Sequence, residues 1–359
     1  MKKHITINNK VFKIVSILLA ATIGAGFASG REAMTFFREY SVFNYILLFV
    51  VFIGLAFMMY VFARLGGFLK ASEATEINKV VFKKFSPIMN ILIPLGLFGT
   101  LFAMIAGLDS VAISVIPNYS YSLPWLSLLI STVVIVIVSG GLKVVLNATS
   151  IIMPVVLIIL FLTTISFLIF GSHGVVDYNT DLTLTHFGVG LFSTLLYIGN
   201  NLTTGGVILT QLGGVLDKRQ SKVSSISFSA LFTIAAALVI LTLFLSSNSI
   251  FGSDMPMVEV ANLINPVLGI IYGVILFFAI SMTLTACAFA LTSWFKKYFK
   301  NSSFCTVTSF MILGFILSRL GFGTILDIVY PIKGAIGFIF GLGVLVYYLK
   351  NRRKIKELQ

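Results

Sequence analysis

Ten apolar stretches, most of them at least twenty residues long and nearly free of charge, follow one another along this 359-residue chain. An α-helix needs ~20 such residues to cross the hydrocarbon core of a bilayer. The stretches fall at 12–37, 43–68, 87–116, 123–140, 147–170, 187–212, 223–246, 266–295, 304–320 and 324–349. No soluble domain fits between them, and the longest connections are 70–86, 171–186 and 247–265. Composition agrees: 58% of residues are hydrophobic and 10% charged, against about half and one quarter in an ordinary globular domain. So few charges cannot coat a water-facing surface. A soluble enzyme, a disordered chain and a fibrous protein are all excluded. The expected class is an all-α integral membrane protein with ten transmembrane helices.

The net charge of +13 invites a nucleic-acid reading, but the distribution argues against it. Basic residues sit in short groups between apolar stretches, as the positive-inside rule requires. With the N-terminus inside, the groups are Lys2, Lys3, Lys10 and Lys13, then Arg64, Lys70, Lys79, Lys83 and Lys84, then Lys143. Next come Lys218, Arg219 and Lys222, then Lys296, Lys297 and Lys300, and finally Lys350, Arg352, Arg353, Lys354 and Lys356. These are 21 of the 25 basic residues, and the opposite loops at 117–122, 171–186 and 247–265 carry none. Both termini are therefore expected in the cytoplasm, with the chain multi-pass in the plasma membrane. The basic start and apolar run of the first stretch imitate a signal peptide, but the apolar pattern continues to Phe37, as in a retained helix.

Two stretches carry glycine-rich interruptions. The first reads Thr22-Ile23-Gly24-Ala25-Gly26-Phe27-Ala28-Ser29-Gly30 and the sixth Tyr197-Ile198-Gly199-Asn200-Asn201-Leu202-Thr203-Thr204-Gly205-Gly206. Gly24 and Gly199 are 175 residues apart, as are Gly30 and Gly205. That offset is half of ten helices, and five helices per half make the second half enter the membrane from the other side. Paired interruptions in two inverted halves are the best sequence pointer to a transporter binding site. An unwound helix frees N–H and C=O groups that hydrocarbon cannot satisfy, so the break faces a cavity, an ion or a solute. The half-helix starting there favours an anionic group, and the one ending there offers carbonyls to a cation. The plainer reading of Gly26-x-x-x-Gly30 is helix packing; a dinucleotide motif fails on spacing. In the sixth stretch, paired Asn, Thr and Gly at mid-membrane favour a site over packing.

Ionisable residues inside spans are costly and therefore candidates for function. Arg31 and Glu32 lie just past the first break, where snorkelling to the interface is the plain alternative. Asp109 lies about two turns from the outer end of the third span, with a role in binding or coupling set against a structural partner inside the bundle. Asp327 is near the outer end of the tenth span, and Lys333 lies deeper, after Pro331, where an internal ion pair is favoured. The eighth span bears Ser281, Thr283, Thr285, Thr292 and Ser293, oxygens suited to a hard cation or to bonding their own helix. The histidines, His4, His173 and His186, form no metal pattern, and Cys287 and Cys305 form no disulfide framework.

The run Ala21-Thr22-Ile23-Gly24-Ala25-Gly26-Phe27-Ala28-Ser29-Gly30-Arg31-Glu32 resembles the opening of the YkvI family of bacterial membrane proteins. That family is similar to the amino acid–polyamine–organocation superfamily with its LeuT-type five-plus-five fold. Residues 191–199 resemble the broken sixth helix of sodium-coupled amino-acid symporters, and 276–283 their eighth. The resemblance implies a Na⁺ held by the carbonyls of Ala20, Ile23 and Ala279 and the hydroxyl of Thr283. It also implies an outer gate between Arg31 and Asp327. Met282 stands where many sodium symporters carry a second hydroxyl, and Lys143 lies just before the fifth helix rather than within it, where proton-coupled relatives carry a lysine.

The expectation is a secondary transporter of an amino acid or similar small organic solute, coupled to Na⁺ or H⁺, with helices 1 and 6 discontinuous. It has two repeats (1–170 and 187–349), a connecting loop (171–186) and a basic tail (350–359). The expected solute-binding residues are Gly24, Ala25, Gly26, Ser29, Gly30, Tyr197, Gly199, Asn200, Asn201, Thr203 and Asp109. Its partners are the solute and the lipid bilayer, with no nucleic acid, no enzyme chemistry and no cofactor beyond a bound Na⁺. A transporter-like solute sensor without net transport is the competing reading.

Overall fold

In the computed structural model, residues 6–37, 43–70, 74–120, 122–140, 142–171, 184–246, 250, 252–295 and 303–357 are described. Lys2, Lys3, Lys296, Lys297, Lys300 and most of the 171–186 loop lie outside them. The described residues are almost entirely helical, with no strand among them. The first stretch comprises α1 (Thr6–Thr22), α2 (Ala25–Ala28) and α3 (Arg31–Phe36). There follow α4 (Phe43–Leu69), α5 (Ala74–Phe82), α6 (Ser86–Val115), α7 (Trp125–Ser139) and α8 (Leu142–Phe170). The second half holds α9 (Leu184–Asn201), α10 (Val207–Gly213), α11 (Lys218–Leu245), α12 (Pro256–Ile264), α13 (Pro266–Phe295), α14 (Ser303–Ser318), α15 (Phe322–Lys350) and α16 (Arg352–Glu357).

Five helical segments are long and apolar enough to cross a membrane unaided: Phe43–Leu69, Thr75–Val115, Lys218–Leu245, Pro266–Phe295 and Phe322–Lys350. Trp125–Ser139, Pro154–Phe170 and Ser303–Ser318 are apolar but shorter. The interruptions divide the first and sixth stretches into pieces. Large side chains on the outer faces, such as Phe49, Ile91, Leu129 and Phe170, stand exposed. A belt of that kind is stable against lipid, not water.

Local chemistry sets several ends. Asp217 caps α11 by accepting from Gln220 N–H (2.7 Å), while the Gln220 side chain accepts from Asp217 N–H (3.2 Å). This reciprocal box satisfies two otherwise orphaned donors. Gly321, at φ 88°, turns the chain into α15. The 247–265 connection, expected as a loop, contains α12, whose Met257, Val258, Val260 and Ala261 are buried. Those apolar side chains have a bundle to pack on, which a hydropathy window tuned to full spans does not reveal.

Packing brings α9 against α15, α6 against α13, and α4 against both α10 and α11. The α9–α15 contact depends on small residues. A Cβ on Gly199 would overlap the carbonyl oxygen of Gly334, and one on Gly337 would overlap that of Gly199. Without a hydrophobic drive between helices in lipid, such backbone proximity supplies the association.

Candidate functional site

The first interruption is a true break. Ile23 N–H closes the last turn onto Leu19 (2.7 Å), and the ladder resumes with Ala28 N–H on Gly24 (2.9 Å). The carbonyls of Ala20, Ala21, Thr22 and Ile23 are left without their i+4 donors. Gly24 is extended (φ −92°, ψ −165°), and Gly30 is left-handed at φ 84°, a conformation only glycine adopts freely. Its free carbonyls and N–H groups need a polar neighbour at this depth.

The sixth stretch is interrupted differently. Helix α9 runs through Gly199, and residues Leu202–Gly206 then form one π-helical turn before α10. A π turn shifts the hydrogen-bond ladder by one residue without unwinding it, and such turns are frequent at functional sites. The expected counterpart of Gly24, Gly199, is therefore no break. It is consumed in the close approach to α15, and the interruption falls three to seven residues later.

Between the two interruptions lies a cavity of about 30 Å³, room for about two waters. From the first stretch it is lined by Ala21, Thr22, Gly24 and Glu32, from the sixth by Asn200, Asn201 and Thr204. Thr283 and Cys287 of α13 and Tyr330 and Lys333 of α15 complete most of the wall. Glu32 is 2% exposed and Lys333 5%. Asn200 donates its amide to Glu32 Oε1 at 3.3 Å, leaving its own buried Oδ1 without a partner. The Lys333 stem lies along α6, where a Cβ on Gly96 would sit 3.3 Å from Lys333 Cγ. Its ammonium sits 5.7 Å from the Tyr330 ring centroid and makes no ion pair or hydrogen bond among the described residues. Glu32 and Cys287 are the ionisable groups that act on it electrostatically.

Of the expected solute-binding residues, Gly24, Asn200 and Asn201 line this cavity, and of the expected cation ligands, Thr283. The others are engaged elsewhere. Gly26 faces Tyr330, whose hydroxyl would lie 2.6 Å from a Cβ there. Ala25 is buried in the core, and Ser29 donates to Gly26 O (3.1 Å) while its carbonyl accepts from Met257 N–H of α12 (2.9 Å). Thr203 donates to Asn200 O (2.6 Å). Tyr197 is locked among Phe36, Phe37 and Phe232, with ring centroids 5.1–5.8 Å away. An aromatic in a broken span reads as a binding residue in sequence, but these rings give it a packing role.

Asp109 requires a correction. It is fully buried away from the cavity, where its carboxylate accepts from Arg319 (2.6 Å), Tyr119 (2.7 Å) and Ser127 (3.0 Å). Burial and the neighbouring Asp109 carboxylate raise the Tyr119 phenol well above its ordinary range. The structural partner is thus Arg319, which joins α14 to α6 and the α6–α7 connection. Arg319 sits at a helix end, where sequence alone reads a solvated charge.

Nearby, Arg31 and Asp327 meet at 2.7 Å, with Thr35 donating to the same carboxylate (2.8 Å) and Arg31 to Ser253 O (3.2 Å). Adjacent Glu32 points into the cavity instead, since neighbouring residues on a helix diverge by about 100°. Asp254 accepts from Ser110 (3.0 Å) and from Gly323 N–H (3.0 Å), fastening the segment before α12 over this end of the bundle.

Around the expected cation position, Thr283 lies against the break: a Cβ on Gly24 would be 3.3 Å from its hydroxyl oxygen. That hydroxyl donates to Ala279 O (3.1 Å), leaving its lone pairs free to face the break. Ser281, Thr285 and Thr292 likewise bond their own helix, at 2.7–2.8 Å. Ser281 does not reach the cavity, so nothing from it replaces the hydroxyl that Met282 lacks.

No protein-family model matches the chain. It is similar to two Bacillus subtilis (strain 168) proteins over nearly their whole lengths. The uncharacterized protein YyaD is 24% identical over 350 residues, covering 95% of this chain and 98% of its own. The uncharacterized membrane protein YkvI is 21% identical over 352 residues, covering 95% and 97%. Among solved structures it is similar to MhsT in complex with L-phenylalanine, with a TM-score of 0.66, 15% identity, and 93% of this chain and 87% of that one covered. It is also similar to Mhp1, a nucleobase-cation-symport-1 family transporter, closed with bromovinylhydantoin bound (TM-score 0.61, 16% identity, 96% and 79% covered). A third is a Na⁺-coupled sialic acid symporter (TM-score 0.57, 14% identity, 86% and 72% covered). The chain is all-helical with the LeuT-type transporter fold, and it is a multi-pass membrane protein.

Proposed function

We propose that the protein is a secondary active transporter of an amino acid or similar small organic solute, and that it works by alternating access around the cavity between its two interrupted helices. The observation that carries this reading is the cavity itself. Polar groups from the first, sixth, eighth and tenth stretches converge at mid-bundle, where burying them is costly unless they serve a ligand. Gly24, Asn200 and Asn201 are its solute-facing residues. As it stands the cavity is too small for a solute of that size, so binding and release require the walls to part, as alternating access entails.

In the same reading the repeats are 1–170 and 187–349, joined by 171–186 and followed by the basic tail 350–359. The reading has ten spans in a bacterial plasma membrane with both termini in the cytoplasm, an orientation supported by the distribution of Lys and Arg. The fold is of the kind found in the amino acid–polyamine–organocation superfamily. The released carbonyls of Ala20 and Ile23, with the Ala279 carbonyl and the Thr283 hydroxyl, are the oxygen set for Na⁺ in this reading. Arg31 and Asp327 form the outer gate. The reading is tested by reconstituting the full chain into proteoliposomes and measuring uptake of a mixed amino-acid panel with and without a Na⁺ or pH gradient. Saturable, gradient-driven uptake is expected; binding with no uptake under any gradient would favour a solute sensor. Thr283→Ala should abolish any Na⁺ dependence while leaving expression intact, and unchanged Na⁺ dependence would remove Thr283 from the site.

A further inference from the structure

The cavity holds two buried groups of opposite formal charge that sequence analysis did not place in it together. Glu32 comes from just past the first break and Lys333 from the middle of α15. Neither has a direct counterion: Glu32 takes one amide hydrogen bond, from Asn200, and Lys333 takes none among the described residues. Buried charge without a partner is among the most expensive arrangements a protein can hold, and inside a membrane it marks a ligand path. Structural pairing would bring the two into contact, as Asp109 and Arg319 are at 2.6 Å. Glu32 and Lys333 line the same cavity without making such an ion pair. Other unmet polar atoms face the same region. The buried Oδ1 of Asn200 lacks a donor, and Ala21 and Thr22, whose carbonyls the break releases, line the cavity.

We propose that Glu32 and Lys333 are the charge-reading pair of the solute site, and that its substrate class is a zwitterion with separate ammonium and carboxylate groups. Lys333 holds the carboxylate. Glu32, Asn200 Oδ1 and the released carbonyls of Ala21 and Thr22 hold the ammonium. A zwitterion supplies both missing counterions at once and leaves the cavity neutral, whereas a solute with one charge or none leaves at least one buried group unpaired. That penalty is the basis of selectivity at a desolvated site. The proposal rests on the reading of this cavity as the solute site, and it adds the chemistry that the site recognises.

The test is binding to the purified full-length protein in detergent, read by thermal shift and by titration calorimetry. The probes are the common L-amino acids, their amides (ammonium only) and their N-acetyl derivatives (carboxylate only). In the unmodified protein a zwitterion should bind at least ~100-fold more tightly than either of its own derivatives, the cost of truncating one partner of a buried charge pair. Glu32→Gln should weaken zwitterion binding ~100-fold and make the N-acetyl derivative the better ligand. Lys333→Met should weaken it as much and favour the amide instead. Such inversion of charge preference is not what mere structural damage produces. Amides or N-acetyl derivatives binding the unmodified protein as well as the zwitterions would overturn the proposal, even if neither variant folds, as would absence of zwitterion binding. Uptake of a neutral or singly charged solute without zwitterion binding would leave the transporter reading standing and remove this one. Zwitterion binding with the expected inversion but no uptake would do the reverse.

Discussion

The two interrupted stretches look alike in sequence and differ in what their glycines do. In the first, Gly24 and Gly30 free the backbone: four carbonyls lose their donors, and the chain turns through a left-handed residue. In the sixth, the ladder only changes register over Leu202–Gly206. Its glycines admit neighbours instead, Gly199 the backbone of α15, Gly205 the side chains of Met59 and Thr22, and Gly206 the ring of Phe62. The first stretch thus brings released backbone carbonyls and one carboxylate, Glu32, to the cavity, the sixth neutral side-chain polarity through Asn200, Asn201 and Thr204. A glycine in a membrane helix releases the backbone or lets another helix approach, and only its neighbour in space tells which.

Substitution can break that comparison. Gly199→Val should have the largest effect on stability, because its Cβ meets the Gly334 carbonyl, backbone that cannot give way. A loss of about 3 kcal/mol or more is expected, seen as absence of a monodisperse peak in size-exclusion chromatography. Wild-type behaviour would contradict the close α9–α15 contact. Asp109→Ala should cost on the order of 2 kcal/mol, below the range for a fully buried pair because Arg319 is 31% exposed. Thermal melting would measure that loss, while solute affinity in the surviving folded fraction should not change. Gly30→Ala should cost about 1–2 kcal/mol for the left-handed backbone, with added crowding against Met257 Cγ, 2.9 Å from the new Cβ.

Gly24→Ala sharpens the contrast from the other side. The Gly24 backbone is one any residue adopts, and the added Cβ would meet Thr283 at 3.2–3.3 Å. Its melting temperature should fall by only a few degrees, while ion-dependent uptake is lost. A variant with full uptake would show that the break does not contribute to the site. The smallest stability change is expected for Arg31→Asp with Asp327→Arg, ~0–1 kcal/mol for a pair in which Asp327 is 44% exposed. Uptake lost in each single variant should return in the double, and a double variant as inactive as the singles would place the gate elsewhere.

Hydropathy and charge spacing made most of the scaffold legible, because lipid enforces long apolar helices and the basic groups between them follow a simple rule. The position of the first break was legible too, since Gly24-x-Gly26-x-x-x-Gly30 is too glycine-rich for a continuous ladder. The cavity was readable in part: Gly24, Asn200, Asn201 and Thr283 were named from sequence and line it. Thr22, Tyr330 and Cys287 were missed, for lack of a local signal that separates a cavity wall from a packed helix face. Helix α12 was missed because it is too short to register as a span.

The amino-acid sequence by itself determined that this chain lives in a bilayer, where its helices lie and where its first span must break, because each follows from local composition and backbone chemistry. Tertiary structure decided which charges turn inward and which glycines are merely close to a neighbour. Arg31 and Glu32 are adjacent in the chain, yet the ~100° step between helical neighbours sends the first to Asp327 and the second into the cavity with Lys333. The physical reason is that a buried charge is tolerable only beside a partner, and partners drawn from helices far apart in sequence exist only once the bundle has packed.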